Sequence, residues 1–194
     1  MVWLAADDPL PHVPRRVLVA GTSGAGKTTL AHRVAGVLRS PHTEIDALFH
    51  GPSWTPREAF TKDVDRFSAE PAWVTEWQYR LVRPLLAERA DTMIWLDLPR
   101  MTVMRRVIRR TLRRWLRREV LWNGNVEPPL CTIFTDPEHV IRWAWRTHGI
   151  GVQRVWTIAR QRPDLLIIRL RDQREVDRWL AGPLRAAADG QGSQ

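Results

Sequence analysis

A chain of 194 residues with 44% hydrophobic and 26% charged residues has the size and composition of one globular domain with its own core. It contains no run of about 20 apolar residues and begins without a basic segment, so we expect neither a membrane partner nor a secretory signal. Cys131 is the only cysteine, which excludes an internal disulfide and a cysteine-built zinc site and predicts a reducing cytoplasm.

Positive charge is concentrated in one stretch of the chain. The formal net charge is +9, and residues 100–118 alone contain nine arginines and no acidic residue. A uniformly basic surface favours nonspecific binding to nucleic acids. The concentration in one segment instead predicts a single helix that faces phosphate groups.

In chain order, the first predicted element follows a loose lead-in of 14 residues that contains three prolines. Residues 17–20, VLVA, form a short apolar run of the kind that a buried parallel strand shows. Beyond residue 28, apolar side chains recur at helical spacing until Pro41 ends the helix. A strand, a glycine-rich loop and a helix therefore follow one another in the order that a phosphate-binding site requires.

The glycine-rich loop carries the strongest motif of the chain. Residues 21–28 read GTSGAGKT and match the pattern G-x-x-x-x-G-K-[ST] without a mismatch. Glycines let backbone N–H groups turn inward toward phosphate oxygens, Lys27 can reach the β- and γ-phosphates of ATP, and Thr28 can ligate Mg²⁺. The predicted nucleotide-binding residues are Gly21, Thr22, Ser23, Gly24, Ala25, Gly26, Lys27, Thr28 and Thr29.

Three further predicted strands are each associated with a terminal carboxylate. They are residues 43–46 ending in Asp46, residues 72–75 followed by Glu76, and residues 92–97 ending in Asp97. Open α/β sheets bind ligands at the carboxyl ends of their strands, so Asp46 is predicted to face the acceptor and Asp97 to orient magnesium. The alternatives are a turn or capping role for Asp46 and a structural role for Asp97.

Two helices are predicted between these strands. Thr55 as N-cap, Pro56 at the first position and Glu58 closing a capping box predict a helix that starts at residue 55. Residues 81–90 predict a short helix that tolerates Pro84 only near its beginning.

Pro99 precedes a helix that is rich in arginine. Like charges four residues apart repel by a few tenths of a kcal/mol, so rows of arginine favour bound anions such as phosphates. A solvated face is the alternative for the outermost arginines. The two rows are Arg105, Arg109, Arg113 and Arg117, and Arg106, Arg110, Arg114 and Arg118.

The rest of the chain completes an alternation of strands and helices. This alternation predicts an α/β fold, a parallel sheet of about five strands with helices on both faces. The remaining elements are a tight turn at 122–125, a proline loop at 126–129, a helix from 136 ended by Gly149, a helix at 152–159, a strand at 165–170, a helix at 175–180 and a disordered tail at 185–194.

Together these residues make the chain resemble small P-loop kinases of the adenylate-kinase-like group, and within it the bacterial proteins often labelled DNA topology modulation proteins. The resemblance covers residues 16–180. It is carried by GTSGAGKTTLA at 21–31, EIDALFH at 44–50, residues 73–79, ADTMIWLDLPR at 90–100 and the arginine-rich helix. That family has Asp-Gly-Asn-Tyr where this chain has EWQY at 76–79, so the family's substrate is not carried over.

The resemblance implies phosphoryl transfer from ATP with Mg²⁺, in one domain spanning residues 15–184 whose arginine-bearing lid covers about residues 100–135. The implied catalytic residues are Lys27, Asp46, Arg105, Arg109, Arg113 and Arg117. The implied acceptor-binding residues are Asp46, Glu76, Trp77, Tyr79 and Arg80, and the magnesium ligands are Thr28 and Asp97.

The residues leave the acceptor open between two classes. Asp46 favours a hydroxyl acceptor, whose proton a carboxylate can take, whereas the arginines and the resemblance favour a nucleoside monophosphate. Of these two acceptor classes, we prefer the nucleoside monophosphate. Two other functions remain alternatives: an ATPase that binds nucleic acid through the arginine helix, and a nucleotide-dependent switch that binds a protein partner without useful catalysis.

Overall fold

The computed structural model describes residues 2–117, 120–125 and 140–190. Within these residues six strands form one sheet, and every pair of neighbouring strands is parallel. The strands are β1 (Val2–Leu4), β2 (Arg16–Gly21), β3 (His42–Thr43), β4 (Trp73–Glu76), β5 (Thr92–Leu96) and β6 (Leu166–Leu170). The predicted parallel α/β fold is confirmed.

Helices connect the strands on both sides of the sheet. They are α1 (Lys27–Leu38), α2 (Ile45–Phe49), α3 (Phe60–Ser68), α4 (Arg83–Arg89), α5 (Arg100–Arg117), α6 (Val140–Gln161), α7 (Gln173–Ala181) and α8 (Pro183–Asp189). Short 3-10 turns lie at Pro52–Trp54 and Trp122–Gly124. No helix in the described ranges is long and apolar enough to span a bilayer.

The strand order β1-β6-β5-β2-β4-β3 places β2 near the centre of the sheet, between β5 and β4. The chain leaves β2 toward β3 and β4 on one side and later crosses to β5 on the other side. Ligands of open α/β sheets bind where the strand order reverses in this way. The glycine-rich loop follows β2 directly and therefore lies at that position.

Side chains of β2 alternate between two hydrophobic cores because successive strand residues point to opposite faces of a sheet. Val17 and Val19 belong to one core, while Leu18 and Ala20 belong to the other, and all four are almost completely buried. Each such aliphatic side chain larger than alanine stabilises the fold by roughly 1.5–3 kcal/mol. The first core contains residues of α1, α5, α7 and α8, and the second contains residues of α3, α4 and the second half of α6.

Both ends of the described chain differ from the sequence-based expectation. The lead-in is not uniformly loose, because Val2–Leu4 pair with residues 166–168 of β6 and form the sixth strand. The tail is not disordered from residue 185, because α8 spans Pro183–Asp189 and buries Leu184 completely. In both segments, burial against the domain outweighs the local preference of a polar or proline-containing sequence.

Two elements near the predicted acceptor site also differ. The strand expected at 43–46 ends at Thr43, so Asp46 lies in the short helix α2. The helix expected from residue 55 begins at Phe60 instead. The Thr55 hydroxyl donates to the Pro52 carbonyl oxygen at 2.7 Å, and a β-bridge joins His50 to Pro56, so this segment forms a folded loop.

The long helix α6 was predicted as two helices separated at Gly149. It is continuous from Val140 to Gln161, because Ala144, Val155 and Ala159 all pack into the domain and hold both halves in register. The position of Pro84 in the first turn of α4 and the tight turn at 122–125 are confirmed. The proline loop at 126–129 and the helix start at 136 lie outside the described residues.

Candidate active site

The loop between β2 and α1 has the backbone of a phosphate-binding nest. Gly24 and Gly26 adopt φ angles of 82° and 99°, which side-chain-bearing residues avoid. The Ala25 amide donates to the Thr22 carbonyl oxygen at 3.0 Å, closing the turn. Helix α1 then begins at Lys27, so its positive dipole end points into the loop. Residues 23–29 line a cavity of roughly 460 Å³.

Gly24 is also the point where the loop touches the arginine helix α5. A Cβ atom built on Gly24 would lie 2.0 Å from Cγ2 of Val107, which is completely buried. The absence of a side chain at residue 24 therefore allows α5 to pack directly on the loop.

We expect Gly24→Ala to destabilise the fold by about 2–4 kcal/mol, because it combines a left-handed backbone with overpacking against Val107. Urea denaturation measures this effect. In the Val107→Ala background, Gly24→Ala is expected to cost less free energy of unfolding than in the wild-type background, by more than about 1 kcal/mol. Gly36→Ala is the matched control, since nothing lies within 4 Å of its Cβ position in helix α1, and it is expected to stabilise by about 0.5–1 kcal/mol. Equal effects at residues 24 and 36 would contradict the packing argument.

Lys27 is buried beside the loop, with 8% of its surface exposed. Its Nζ donates to the Thr22 carbonyl oxygen at 3.3 Å. Burial lowers the pKa of Lys27, the charges of Asp46 and Glu76 raise it, and Arg110 lowers it, with a net result below the ordinary value of 10.5. The lysine charge thus lies among two carboxylates and an arginine at the end of the cavity.

Helix α5 presents one of its two arginine rows to this cavity. Arg106 donates from Nη1 to the Ala25 carbonyl oxygen at 2.9 Å and from Nη2 to Gln173 Oε1 at 3.1 Å. Arg110 and Arg114 line the same cavity one and two turns further along the helix. This row can surround a phosphate chain held by the loop.

The other arginine row was the predicted catalytic one. Arg113 lines the cavity, whereas Arg105, Arg109 and Arg117 are exposed and do not line it. Each helical residue advances by about 100° around the axis, so residues 106 and 110 flank the buried position 107 while 105 and 109 lie on the opposite side. The apolar residues of α5 distinguish the two rows, because they mark the side of the helix that packs against the domain.

Asp46 lines the same cavity and accepts hydrogen bonds from two neighbours. Gln78 Nε2 and the Tyr79 hydroxyl both donate to its Oδ1, at 2.5 Å and 2.6 Å. These bonds orient the carboxylate. Gln78 lines the cavity too, together with Glu44. The structure therefore brings Lys27 and Asp46 to one cavity, as predicted.

Tyr79 connects Asp46 to His50. The Tyr79 oxygen lies 3.1 Å from His50 Nε2, and since its proton is used toward Asp46, the imidazole donates from Nε2. Burial lowers the pKa of His50, more than the charge of Asp46 raises it. Burial and the neighbouring Asp46 raise the pKa of Tyr79. Both rings are therefore neutral at physiological pH.

Glu76 supports this arrangement but does not line the cavity. It is 1% exposed, and its Oε2 accepts a hydrogen bond from the backbone amide of Ile45 at 3.0 Å. Its Oε1 lies 3.5 Å from His42 Nε2. Burial raises the pKa of Glu76, but the nearby His42 ring and the hydrogen bond from the Ile45 amide together lower it by more, so the net shift is downward. Glu76 thereby fixes the start of α2, next to Asp46.

We expect Glu76→Gln to lower the free energy of unfolding at pH 7 by about 2 kcal/mol, because a buried charged hydrogen bond is lost. A carboxyl group whose pKa is lowered by folding stabilises the folded state at pH values above its ordinary pKa of 4.5. This stabilisation is lost as the pH falls through the folded-state pKa. The difference in free energy of unfolding between wild type and Glu76→Gln should therefore shrink below pH 4.5. Denaturation at several pH values measures it, with the exposed Glu70→Gln as control. A constant difference from pH 7 to pH 3 would contradict this account.

The turn after α5, residues 122–125, is bonded to the loop at residues 51–54. Asn125 is 5% exposed; its side chain accepts from the Trp54 amide at 2.9 Å and donates to the carbonyl oxygens of Gly51 and Trp122. The Trp122 ring lies 5.9 Å from that of His50 and lines the cavity. This turn therefore adds an aromatic ring to the lining of the cavity.

Asp97 does not line the cavity. Its carboxylate accepts from Arg169 Nε at 2.8 Å, and its amide donates to the Leu170 carbonyl oxygen, so it joins β5 to β6. Oxygen donors that suit Mg²⁺ are instead supplied to the cavity by Thr28, Glu44 and Asp46. In the described part of the chain, no three His, Cys, Asp or Glu side chains converge as a metal-binding group.

The remaining predicted acceptor residues lie outside the cavity. Trp77 packs against the second core and donates from Nε1 to the Arg83 carbonyl oxygen at 3.1 Å, and Arg80 is exposed. Several residues that line or close the site were not predicted as site residues from the sequence. They are Glu44, His50, Gln78, Trp122 and Asn125, while Arg106, Arg110 and Arg114 were predicted only as an anion-binding row of α5.

Solved structures of kinases share this fold. A gluconokinase from Sinorhizobium meliloti 1021 aligns with a TM-score of 0.52 and 18% identity over 94% of this chain and 99% of its own. A shikimate kinase from Acinetobacter baumannii in complex with shikimate aligns with a TM-score of 0.50 and 14% identity over 92% of this chain and 90% of its own. No protein-family model matches the sequence, and a comparison with curated proteins finds no match. The chain therefore shares the fold of these two kinases.

Proposed function

We propose that this protein is an ATP-dependent phosphotransferase that moves the γ-phosphoryl group to a hydroxyl group of a small molecule. The observation that carries the proposal is a single cavity in which the phosphate loop, Lys27 and Asp46 meet. The shared fold supports it, since the aligned structures are a gluconokinase and a shikimate kinase.

The residues divide the chemistry of transfer between them. The acceptor oxygen forms a bond to the γ-phosphorus while the bond from that phosphorus to the β–γ bridging oxygen breaks, and ADP leaves. Asp46 Oδ2 takes the proton of the hydroxyl group. Lys27, Arg106 and Arg110 neutralise the charge on the transferring group, which is the main requirement of phosphoryl transfer.

Magnesium fits the ATP end of the cavity. Mg²⁺ binds oxygen ligands, commonly one or two from protein together with substrate phosphates. Thr28 is the first ligand we propose, and Glu44 or Asp46 can hold the ion or its waters. We do not retain Asp97 for this role, since Arg169 already pairs with it. When bound, the ion supplies charge neutralisation between the phosphates.

A nucleoside monophosphate is the second acceptor class. Arg113 and Arg114 line the cavity and can meet the phosphate of such an acceptor. This chemistry does not require a base, because the attacking phosphate oxygen is already anionic. The role of Asp46 therefore distinguishes the two classes.

The test follows ADP formation by the purified protein with MgATP against a panel of sugars, other metabolites, nucleosides and nucleoside monophosphates. Lys27→Ala serves as the blank. We expect one acceptor to accelerate ADP formation at least about 100-fold over water, as positioned acid–base catalysis alone contributes. Tight ATP binding with no stimulation by any acceptor would favour the nucleotide-dependent switch instead.

A nucleic-acid-binding ATPase remains the alternative function from another class. The observation that favours it is the exposed row of Arg105, Arg109 and Arg117 on α5. It predicts binding to DNA or RNA whose affinity falls steeply with salt, measurable by fluorescence anisotropy. The resemblance to DNA topology modulation proteins stays a prediction from the motifs.

A further inference from the structure

We infer that Tyr79 is a positioning residue for the proposed base, Asp46, and does not itself contact the acceptor. This inference rests on the proposed function and deepens it, because it names the group that fixes the orientation of the base. Tyr79 is not among the described residues that line the cavity, yet its hydroxyl group donates to Asp46 Oδ1 at 2.6 Å. An effect of Tyr79 on phosphoryl transfer must therefore pass through Asp46.

The backbone at Tyr79 is turned so that two consecutive side chains reach one carboxylate oxygen. In an extended strand, successive side chains point to opposite faces, so Gln78 and Tyr79 would be directed apart. Strand β4 ends at Glu76, and Tyr79 adopts a φ angle of 60°, in the left-handed region that residues with a side chain avoid. Gln78 and Tyr79 both donate to Asp46 Oδ1. An unfavourable backbone conformation persists only where the surrounding contacts enforce it, and here those contacts converge on Asp46.

Neighbouring rings hold the phenol of Tyr79 in place. Phe49, which lies in the same helix as Asp46, stacks on it with the ring centroids 4.0 Å apart. The buried Phe60 meets it edge-on at 5.3 Å. His50 Nε2 lies 3.1 Å from the phenol oxygen. The hydroxyl group therefore has a fixed position from which it orients the Asp46 carboxylate.

Gln78 differs from Tyr79, because its side chain lines the cavity as well as bonding to Asp46. A change at Gln78 would alter the cavity lining and the support of the carboxylate together. Removing the Tyr79 hydroxyl group leaves the described lining unchanged. Tyr79 is therefore the residue at which positioning can be measured separately from acceptor binding.

The first experiment is Tyr79→Phe, which removes the hydroxyl group and keeps the packed ring. We expect kcat with the accepted hydroxyl substrate to fall by about 10–100-fold and KM to change by less than about threefold, because misplacing a catalytic group lowers the rate of the chemical step. Thr157→Val is the matched control and should retain wild-type kcat, since it removes an exposed hydroxyl group that bonds to the Gln153 carbonyl oxygen on α6. Wild-type kcat in Tyr79→Phe, together with a loss in Asp46→Asn, would overturn this inference and leave the proposed function standing.

A double variant separates positioning from a direct effect on the acceptor. If Tyr79 acts through Asp46, Tyr79→Phe should lower kcat by less than about twofold once Asp46 is replaced by asparagine. The same fold loss in the wild-type and Asp46→Asn backgrounds would show that Tyr79 acts independently of Asp46, and would overturn the assignment.

The contact itself can be tested without an acceptor, because Tyr79 is the only tyrosine of the chain. One resonance of ¹³C-labelled tyrosine, at the ring carbon that bears the hydroxyl group, therefore reports on this hydrogen bond. We expect this resonance to shift in Asp46→Asn and to stay in place in Asp189→Asn, a change at the exposed end of α8. An unmoved resonance in Asp46→Asn would reject the contact and with it this inference. A shifted resonance with no acceptor-stimulated ADP formation would instead reject the proposed function, and the role of Tyr79 in it.

Discussion

Lys27→Ala is expected to reduce kcat for ATP-dependent phosphoryl transfer by about 10²–10³-fold while the fold is retained. The lysine is the buried cation of the phosphate loop, and its Nζ lies at the Thr22 carbonyl oxygen, beside the position where the phosphates bind. Removing it takes away a charge that stabilises the transferring group in a site with limited access to water. Steady-state ADP formation with the accepted substrate measures the loss.

The chain offers a natural control for this variant, because Lys62 is the only other lysine. It is exposed on α3, far along the chain from the loop, so Lys62→Ala should retain wild-type activity. Circular dichroism and urea denaturation of both variants separate a catalytic effect from a folding defect. Turnover of Lys27→Ala within a factor of two of wild type would reject the proposed role of the loop.

The central part of the site was predictable from local sequence. The apolar run of β2, the glycine pattern and the helical spacing of α1 are contiguous, and each has one dominant physical explanation. The strands β4 and β5 were predictable for the same reason, because a short apolar run between polar segments has few other structures. Local patterns therefore define the glycine-rich loop and the elements on either side of it.

The part of the site around Asp46 depends on contacts between distant segments. Asn125 bonds to Gly51 across 74 residues, and Tyr79 bonds to Asp46 across 33. No local periodicity indicates which loop a buried asparagine will meet. Asp97 illustrates the same limit, because its pairing with Arg169 depends on the adjacency of β5 and β6 in the sheet. The position of Asp97 at a strand end was predicted correctly, but its carboxylate pairs with Arg169 and does not line the cavity.

The arginine helix shows how a correct element can be assigned the wrong face. Its existence and start follow from Pro99 and the apolar spacing, and α5 does begin at Arg100. The repeat of four residues is present in both rows, so charge alone does not choose between them. The choice is made by Val103 and Val107, which are buried against the domain and turn Arg106 toward the loop.

Asp46→Asn is the change that separates the two acceptor classes. With a hydroxyl acceptor we expect kcat to fall by about 10²–10⁴-fold, because the amide cannot take the proton that the carboxylate accepts. With a nucleoside monophosphate, kcat should change much less, because no proton has to be removed. Asparagine has nearly the same shape, and its side-chain oxygen can still accept from Gln78 and Tyr79. The loss should therefore appear mainly in kcat rather than in KM.

The matched control for this variant is Asp189→Asn, which makes the same chemical change on the exposed end of α8. A normal unfolding free energy for Asp46→Asn, combined with the loss of kcat, assigns the effect to chemistry rather than to the hydrogen bonds around Oδ1. Unchanged kcat of Asp46→Asn with a hydroxyl acceptor would reject Asp46 as the base.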